Sequence, residues 1–405
     1  MKELKSPKGY AYIFDLVDQL RFLNLNKYVV PQLETPLKPS QKMGYRSALD
    51  GIRALAIGLV LLEHTGLDLF DGGNSGVILF FVLSGFLITK LMIEEWDRTK
   101  SLDIKAFYGR RSVRILPAVF ALVTVVFILS FFLIPDFGNR KYLWFELFMV
   151  VFYLTNLRPI LFGNDGLWGS SLGTGERFMA HTWTLSVEEH FYIFWPWFFK
   201  KFKLPTIEAK SVVKGLVAGT LSIAVFRFIL AIVFPDLVSI SIFSFDGFAL
   251  GACLAFVIHN NIYASFRRLI GTTQVFVISI LILITDLFLR DQGHDNSGSG
   301  YFVYTFVIYC SIATVALIAH LYDNPNNFFG KLFSLKPVVY IGKLSYSIYL
   351  WHIPIQVYFS QDRFPEWSLL EIIVVEQVLT IGFSIASYKL VEIPANRFRK
   401  KFVVK

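Results

Sequence analysis

Residues 48–66 read ALDGIRALAIGLVLLEHTG, a stretch that begins as an ordinary membrane span and ends unlike one. Arg53 lies near its start, and His64 follows after ten mostly aliphatic residues. On an α-helix this separation is about three turns plus 20°, so the two side chains share a face roughly 16 Å apart along the axis. Asp50 lies one turn before Arg53 on that side. Ionisable groups inside a membrane usually face a cavity or a partner, so this helix predicts an internal polar site.

His64 also has a simpler interpretation, as an interfacial side chain that caps the outer end of the helix. The sequence leaves both interpretations open. Glu63 points about 100° away from His64, towards the outer loop or another helix, and no role is assigned to it.

The composition is typical of a membrane protein. Of the 405 residues, 55% are hydrophobic and only 17% are charged, with a mean hydropathy of +0.55, whereas soluble domains are about a quarter charged. The two cysteines, Cys253 and Cys310, lie in apolar runs and form no disulfide or metal-ligand pattern, so no metal site is expected. No cleavable signal peptide is visible at the start of the chain.

Eleven apolar blocks are candidates for membrane helices, each of which needs roughly 20 residues. They lie near residues 52–69, 77–95, 115–134, 142–157, 183–199, 212–234, 243–259, 269–289, 301–321, 338–359 and 368–390. Lys and Arg concentrate in cytoplasmic loops. Most of the 39 basic residues fall in the segments 1–50, 97–114, 200–214, 260–268, 331–343 and 389–405. This bias places both termini in the cytoplasm, and it explains the net charge of +9 without a nucleic-acid partner.

Eleven crossings would put the two termini on opposite sides, so one block must not cross. The block YLWFELFMVVFYLTNL, residues 142–157, is short and carries Glu146, and we predict that it re-enters the membrane or lies along its outer surface. The expected fold is an all-α polytopic membrane protein with about ten transmembrane helices plus this re-entrant or interfacial helix.

Three segments are expected along the chain. Residues 1–45 form a cytoplasmic arm, in which apolar side chains at helical spacing indicate either an amphipathic helix over 10–25 on the inner leaflet or a partly ordered tail. Residues 46–393 form the transmembrane domain. Residues 394–405 form a basic cytoplasmic tail.

A second polar stretch is HTWTLSVEEHFYIFWPWFF, residues 181–199, which enters the membrane from outside with two adjacent carboxylates. Glu188 and Tyr192 share one helical face with Trp195, and Glu189 lies off that stripe. A carboxylate here needs a cation or a proton. His64 and the arginines are the expected partners of Glu188, since a Glu–His pair is a common general-base arrangement. Glu189 is expected to mark the membrane interface.

Two further motifs carry polar groups. In LSYSIYLWHIP, residues 344–354, Ser345, Tyr349 and His352 line one helical face, either towards a cavity or as helix-to-helix hydrogen bonds. In FYGRRSVRILP, residues 107–117, Arg111 and Arg114 project from similar faces at the start of a span. Arginine forks bind phosphates bidentately, although the anchoring of a cytoplasmic loop explains any one of them.

Taken together, these motifs resemble the membrane-bound acyltransferase 3 family, which includes bacterial O-antigen and exopolysaccharide O-acetyltransferases. The resemblance covers residues 45 to about 395. It rests on the Arg53–His64 pattern, on FFVLSGFLIT at 80–89 and RSVR at 111–114, and on the TWTLSVEEHFYIFWP and LSYSIYLWHIP motifs. Where relatives commonly have Gln, this chain has His190.

The resemblance implies a ten-helix domain of the bacterial cytoplasmic (inner) membrane, in contact with membrane lipid. This domain moves an acyl group, usually acetyl, from cytoplasmic acyl-CoA to a hydroxyl of an envelope carbohydrate. It implies that His64, Arg53 and Glu188 are catalytic, and that Arg111 and Arg114 bind the donor. Acetyl-CoA or another acyl-CoA is then a substrate, with no tightly bound cofactor. Many relatives carry an added SGNH-type domain, which this chain is expected to lack.

The residues alone are also compatible with two other functions. A polytopic transporter or flippase of a glycan or lipid precursor also needs charged residues in the membrane, although the inverted repeats common in transporters are not evident. A serine hydrolase would use Ser84 or Ser186, but neither lies in a G-x-S-x-G elbow, and Ser84 is expected only to line the cavity. Within the acyltransferase interpretation, direct transfer and an acyl-histidine intermediate both remain open.

Overall fold

A computed structural model describes residues 44–70, 75–133, 137–157, 178–233, 245–288 and 300–402. Every regular element in these residues is helical. The predicted amphipathic helix at 10–25 lies outside them.

The helices are numbered in chain order. They are α1 Ser47–Glu63, α2 Ser75–Thr99, α3 Ile104–Leu133, α4 Phe137–Val151, α5 Trp183–Lys201, α6 Ala209–Val233, α7 Phe245–His259, α8 Ala264–Ile270, α9 Thr273–Thr285, α10 Gly300–Asp323, α11 Phe328–Phe333, α12 Lys336–Tyr358 and α13 Leu369–Ser387. Each of the eleven predicted apolar blocks overlaps one of these helices.

The ends of two helices differ from the prediction, and both differences affect the site. Helix α3 begins at Ile104 rather than near residue 115, because Asp103 Oδ1 accepts a hydrogen bond from the Ala106 amide at 2.9 Å and caps the helix. The RSVR arginines therefore lie within the first turns of α3, before its apolar part. Helix α1 ends at Glu63 rather than near residue 69, so His64 is the residue that follows its last turn.

Four helices are long and apolar enough to cross a membrane by themselves, and they lie within α2, α3, α6 and the segment Leu369–Phe402. A fifth crossing is added if α7 and α8, which meet at a bend of 120°, count as one broken span. The chain is thus a multi-pass helical membrane protein. The count of ten crossings stays a prediction, since several of the other described helices are shorter than 18 residues.

Small residues let the central helices approach closely. A side chain at Gly342 on α12 would collide with the backbone of Asp50 on α1. In the same way, Gly85 on α2 lies against the backbone of Phe248 on α7. Close packing of this kind is how membrane helices associate without a hydrophobic driving force. It sets α1 directly against α12, and these two helices carry the Arg53–His64 and Tyr349–His352 motifs.

The segment that we predicted not to cross forms α4 and a short turn, Thr155–Leu157, that packs on the start of α5. Helix α4 has 15 residues, which gives it a length of roughly 22 Å, less than the hydrocarbon core of about 30 Å. Thr155 Oγ1 lies 2.7 Å from Ser186 Oγ, and Asn156 Nδ2 lies 3.4 Å from His190 Nδ1. These contacts hold the beginning of α5 in place.

The segment after residue 393, predicted to be a cytoplasmic tail, continues as Ile393–Asn396 and the short turn Arg397–Phe402. Arg110 on α3 donates a hydrogen bond to the Phe402 carbonyl at 2.9 Å and pairs with Glu95 on α2 at the same distance. The described part of this segment is therefore packed against α3.

Candidate functional site

A cavity of about 210 Å³ lies between α1, α2, α3, α5 and α12. Its polar lining residues are Arg53, Ser84, Arg111, Arg114, Thr184, Glu188, Glu189, Tyr192, Ser345, Tyr346 and Tyr349. The apolar part of the wall comes mainly from α2, through residues such as Phe80 and Leu87. Four of the motifs found in the sequence thus meet around one space, together with Arg53 from the first.

Two of the three arginines in the cavity have partners. The guanidinium of Arg111 stacks on the ring of Tyr192, with its central carbon 3.2 Å from the ring centroid, and it lies 3.9 Å from a Glu189 oxygen. Arg53 forms an ion pair with Asp50 one turn earlier on α1. Both cations are thereby held in fixed orientations at the cavity wall.

Arg114 differs from the other two. It is accessible although helices surround it, because its side chain faces the cavity. Among the residues that the structure describes, it forms no ion pair or hydrogen bond. A cation that faces a cavity and forms no close ion pair is suited to bind an anionic or strongly polarised group of a ligand.

Glu188 joins α2 to α5. The Ser84 hydroxyl donates a hydrogen bond to Glu188 Oε1 at 2.5 Å, and the Tyr192 hydroxyl donates to the same oxygen. The expected pairing of Glu188 with His64 is not present, because Glu188 lies more than one turn inside α5 and is bonded to these two hydroxyls. Glu189, which we expected at the membrane interface, instead lines the cavity beside Arg111.

Tyr349 lies at one end of the cavity and is fixed by two hydrogen bonds. Its hydroxyl is 2.5 Å from Thr184 Oγ1 and donates to the His181 carbonyl at 2.5 Å. Ser345, one turn earlier on α12, is buried and also lines the cavity.

His64 and His352, by contrast, are not lining residues of the cavity. Their rings meet edge to face, with centroids 5.2 Å apart. The ring of His352 also lies 5.3 Å from that of Tyr349, so Tyr349 separates the cavity from the histidines. The backbone carbonyl of His64 accepts a hydrogen bond from Gln356 on α12.

Asp50 also lies outside the cavity lining. It is buried, forms the ion pair with Arg53, and accepts a hydrogen bond from the Tyr45 hydroxyl at 2.9 Å. Burial raises the pKa of Tyr45, and the Asp50 carboxylate raises it further. Asp50 therefore orients Arg53 and does not face the cavity itself.

Sequence reasoning missed several residues near the site. Tyr346 lines the cavity directly. Tyr153 lines a small second cavity, which shares Arg111 and Glu189 with the first. His181 packs on both Tyr349 and His352, with ring centroids 5.2 and 5.0 Å apart respectively. The position of His181 immediately before the TWTLSVEEH motif was the sequence feature that could have predicted its place near the site.

The described part of the chain contains no group of three or more His, Cys, Asp or Glu side chains arranged to hold a metal ion. Cys253 and Cys310 are buried, free thiols. What the site offers is arginines, carboxylates, hydroxyls and imidazoles in a cavity among membrane helices.

These features define a multi-pass membrane protein with a polar, arginine-lined site inside its helix bundle. Residues 46–389 match the profile of the acyltransferase domain known as acyltransferase 3, and the chain belongs to this family.

The curated relatives that the chain matches include proteins named as O-acetyltransferases. The O-acetyltransferase OatA of Staphylococcus aureus (strain NCTC 8325 / PS 47) is 28% identical over 368 residues, which cover 87% of this chain and 57% of that protein. The peptidoglycan O-acetyltransferase OatA of Listeria monocytogenes serovar 1/2a is 32% identical over 320 residues, covering 77% of this chain and 49% of that protein. The chain thus spans about half the length of the curated relatives it matches. No solved structure matches it significantly.

Proposed function

We propose that this protein is a membrane O-acyltransferase that moves an acetyl group from cytoplasmic acetyl-CoA to a hydroxyl of a cell-envelope carbohydrate. The observation that carries the proposal is the arginine-lined cavity in a chain of the acyltransferase 3 family. The Listeria relative, named as a peptidoglycan O-acetyltransferase, makes a peptidoglycan sugar the first acceptor to test.

The donor binds on the arginine side of the cavity. CoA carries several negative charges and cannot enter hydrocarbon, so its phosphates need cations where the cavity meets the cytoplasm. Arg114 is available for this role, because it faces the cavity and forms no ion pair among the described residues. Arg111 on the same helix and Arg53 on α1 add further positive charge. Acetyl-CoA is a substrate here and not a resident cofactor.

His64 is the general base of the proposed reaction. Its Nδ1 lies 2.8 Å from the Val60 carbonyl oxygen, which can only accept, so Nδ1 carries the proton and Nε2 keeps a lone pair. The acceptor hydroxyl gives its proton to Nε2 while its oxygen forms a bond to the acetyl carbonyl carbon. The carbon–sulfur bond then breaks, and the CoA thiolate takes a proton from the imidazolium to leave as the thiol. The Glu188 carboxylate and the three arginines determine the net charge of the cavity that binds the donor.

The same proposal includes the membrane arrangement. The distribution of Lys and Arg along the chain supports about ten crossings with both termini in the cytoplasm, and the family resemblance implies that the membrane is bacterial. The acyltransferase domain would then extend over residues 46–393, between an N-terminal arm over 1–45 and the basic segment 394–405.

A turnover assay tests the proposed reaction. Detergent-purified full-length protein should release free CoA from acetyl-CoA only when the peptidoglycan disaccharide of N-acetylglucosamine and N-acetylmuramic acid is present, and the disaccharide should gain an acetyl mass. Movement of a glycan across a liposome membrane without consumption of the thioester would support a transporter or flippase instead. In cells, mass spectrometry should find envelope glycans that lose O-acetyl groups when this chain is deleted.

A further inference from the structure

Three histidines from separate parts of the chain lie together beside the cavity. His64 follows α1, His352 belongs to α12, and His181 lies in the short turn before α5. The ring of His352 is 5.2 Å from that of His64 and 5.0 Å from that of His181, measured between centroids. We refer to these three residues as the histidine cluster.

Hydrogen bonds to the backbone fix the proton positions on two of these rings. His64 Nδ1 is 2.8 Å from the Val60 carbonyl oxygen, and His352 Nδ1 is 2.7 Å from the Tyr349 carbonyl oxygen. A carbonyl oxygen can only accept, so in both rings Nδ1 donates and Nε2 is left with a lone pair. The cluster therefore contains two Nε2 atoms that can accept a hydrogen bond.

The other nitrogens of the two buried rings are poorly paired within the part of the chain that the structure describes. His352 Nε2 is buried and has no hydrogen-bond partner among the described residues, and the His181 ring is buried with only the Leu350 backbone beside one of its nitrogens. His181 is only 5% exposed and His352 only 3% exposed. Buried polar atoms in folded proteins are normally hydrogen-bonded, so unpaired imidazole nitrogens on two adjacent rings point to a ligand.

We propose that the histidine cluster is the binding site for the acceptor hydroxyl, separate from the arginine-lined cavity that takes the donor. This inference rests on the proposed acyltransferase function and adds the position of its second substrate. A hydroxyl group matches the cluster because it is both a donor and an acceptor. It donates its proton towards His64 Nε2, while a ring N–H of His181 bonds to its oxygen and His352 Nε2 accepts from a neighbouring hydroxyl of the sugar.

Tyr349 connects this site to the donor cavity. It lines the cavity, while its ring packs on His181 and lies 5.3 Å from that of His352. The acetyl carbonyl and the acceptor hydroxyl therefore meet next to Tyr349, between the arginines and the histidines. The charged groups of the cavity then act on the donor, and the neutral imidazoles act on the acceptor.

The test separates the two substrates kinetically. Full-length wild-type protein, His181→Leu and His352→Leu are assayed with acetyl-CoA and the peptidoglycan disaccharide, each varied at saturating levels of the other. Both Leu variants should raise the KM for the disaccharide at least tenfold and leave the KM for acetyl-CoA within twofold. His352→Gln, whose side-chain oxygen can accept in place of Nε2, should recover much of the lost acceptor affinity.

Unchanged binding of acetyl-CoA to each purified variant, measured by calorimetry, shows that the variant is folded. An equal rise in the KM for acetyl-CoA would overturn the proposal, because the cluster would then belong to the donor site. A lower kcat with an unchanged acceptor KM would also overturn it, as would Leu variants that behave like the wild type. If the wild type itself transfers no acetyl group to the disaccharide, the proposed function fails first and this inference fails with it.

Discussion

Ser84 on α2 donates a hydrogen bond to Glu188 on α5 at 2.5 Å, and this contact joins two helices whose sequences are more than one hundred residues apart. Tyr192 donates to the same carboxylate oxygen. Glu188 is therefore an acceptor for two neutral hydroxyls in a cavity that also holds three arginines. This arrangement makes Glu188 a structural connection as well as a source of negative charge.

Replacement of Glu188 should separate these two roles. Glu188→Gln keeps an oxygen that accepts from both hydroxyls, so we expect a melting temperature near that of the wild type. Because it removes negative charge from the cavity, the KM for acetyl-CoA should fall. Glu188→Ala leaves the Ser84 and Tyr192 hydroxyls without their acceptor and should destabilise the protein by about 1–3 kcal/mol. Thermal unfolding in detergent measures the difference, and equal stability of the two variants would contradict it.

Arg114→Ala should weaken donor binding. A hydrogen bond to a charged group contributes about 1.5–3 kcal/mol, so the KM for acetyl-CoA should rise roughly 10- to 100-fold. Arg110→Ala is the matched control, because Arg110 bonds to Glu95 and to the Phe402 carbonyl and does not line the cavity. The control should lose stability and keep its KM for acetyl-CoA. Similar donor KM values for the two variants would remove Arg114 from the donor site.

His64→Ala should abolish acetyl transfer while membrane insertion and acetyl-CoA binding persist. Loss of a general base slows a reaction by about 10²–10⁴-fold. His259→Ala serves as the control, since His259 bonds to Asp97 at 2.7 Å, away from the cavity. Wild-type turnover by the His64 variant would refute the mechanism. Radiolabel that stays on denatured wild-type protein after reaction with labelled acetyl-CoA, and that is absent from the His64 variant, would indicate an acyl-histidine intermediate.

Gly342→Ala should disturb the contact between α1 and α12. The added carbon collides with the backbone of Asp50, which cannot move aside as a side chain would, and overpacking of this kind costs about 1–3 kcal/mol. Gly58→Ala on α1 is the control, because nothing lies within 4 Å of the carbon that it adds. A helical Gly→Ala change at an open position should be neutral or stabilising. Equal melting temperatures for the two variants would mean that the contact between α1 and α12 adjusts to the added carbon without a loss of stability.

Reporter fusions test the arrangement in the membrane. If both termini are cytoplasmic, alkaline phosphatase fused after residue 405 should be inactive in cells, and a fluorescent protein at the same position should fold and emit. Phosphatase fused within the loop at 360–367 should be active. An active phosphatase at the C-terminus would require an odd number of crossings between cytoplasmic residue 1 and residue 405.

Local features of the structure could be predicted from the sequence, and contacts between distant segments could not. Apolar runs located the helices, because hydropathy is a property of each segment alone. The motifs also selected Arg111, Arg114 and Tyr192, which line the cavity. The bond from Ser84 to Glu188 depends on how α2 packs against α5, and no helical periodicity contains that information.

The position of Glu189 could not be predicted from helical periodicity alone. It lies about 100° from Glu188 on α5, so the sequence placed it away from the site. Arg111 on α3 approaches the side of α5 that carries Glu189. The cavity wall therefore includes both carboxylates. His181 was missed for a related reason, since a histidine just before a helix is also common at a membrane interface.

The fit of Gly342 against the Asp50 backbone bears on how the protein works. Helices α1 and α12 are locked together there, and between them they carry Arg53, His64, Tyr349 and His352. An alternating-access cycle needs two bodies that rock apart around a central site, whereas here one closely packed pair of helices reaches from Arg53 to the turn that carries His64. In the proposed reaction, the thioester and the acceptor hydroxyl would therefore be positioned by a single pair of helices and not by two bodies that move apart.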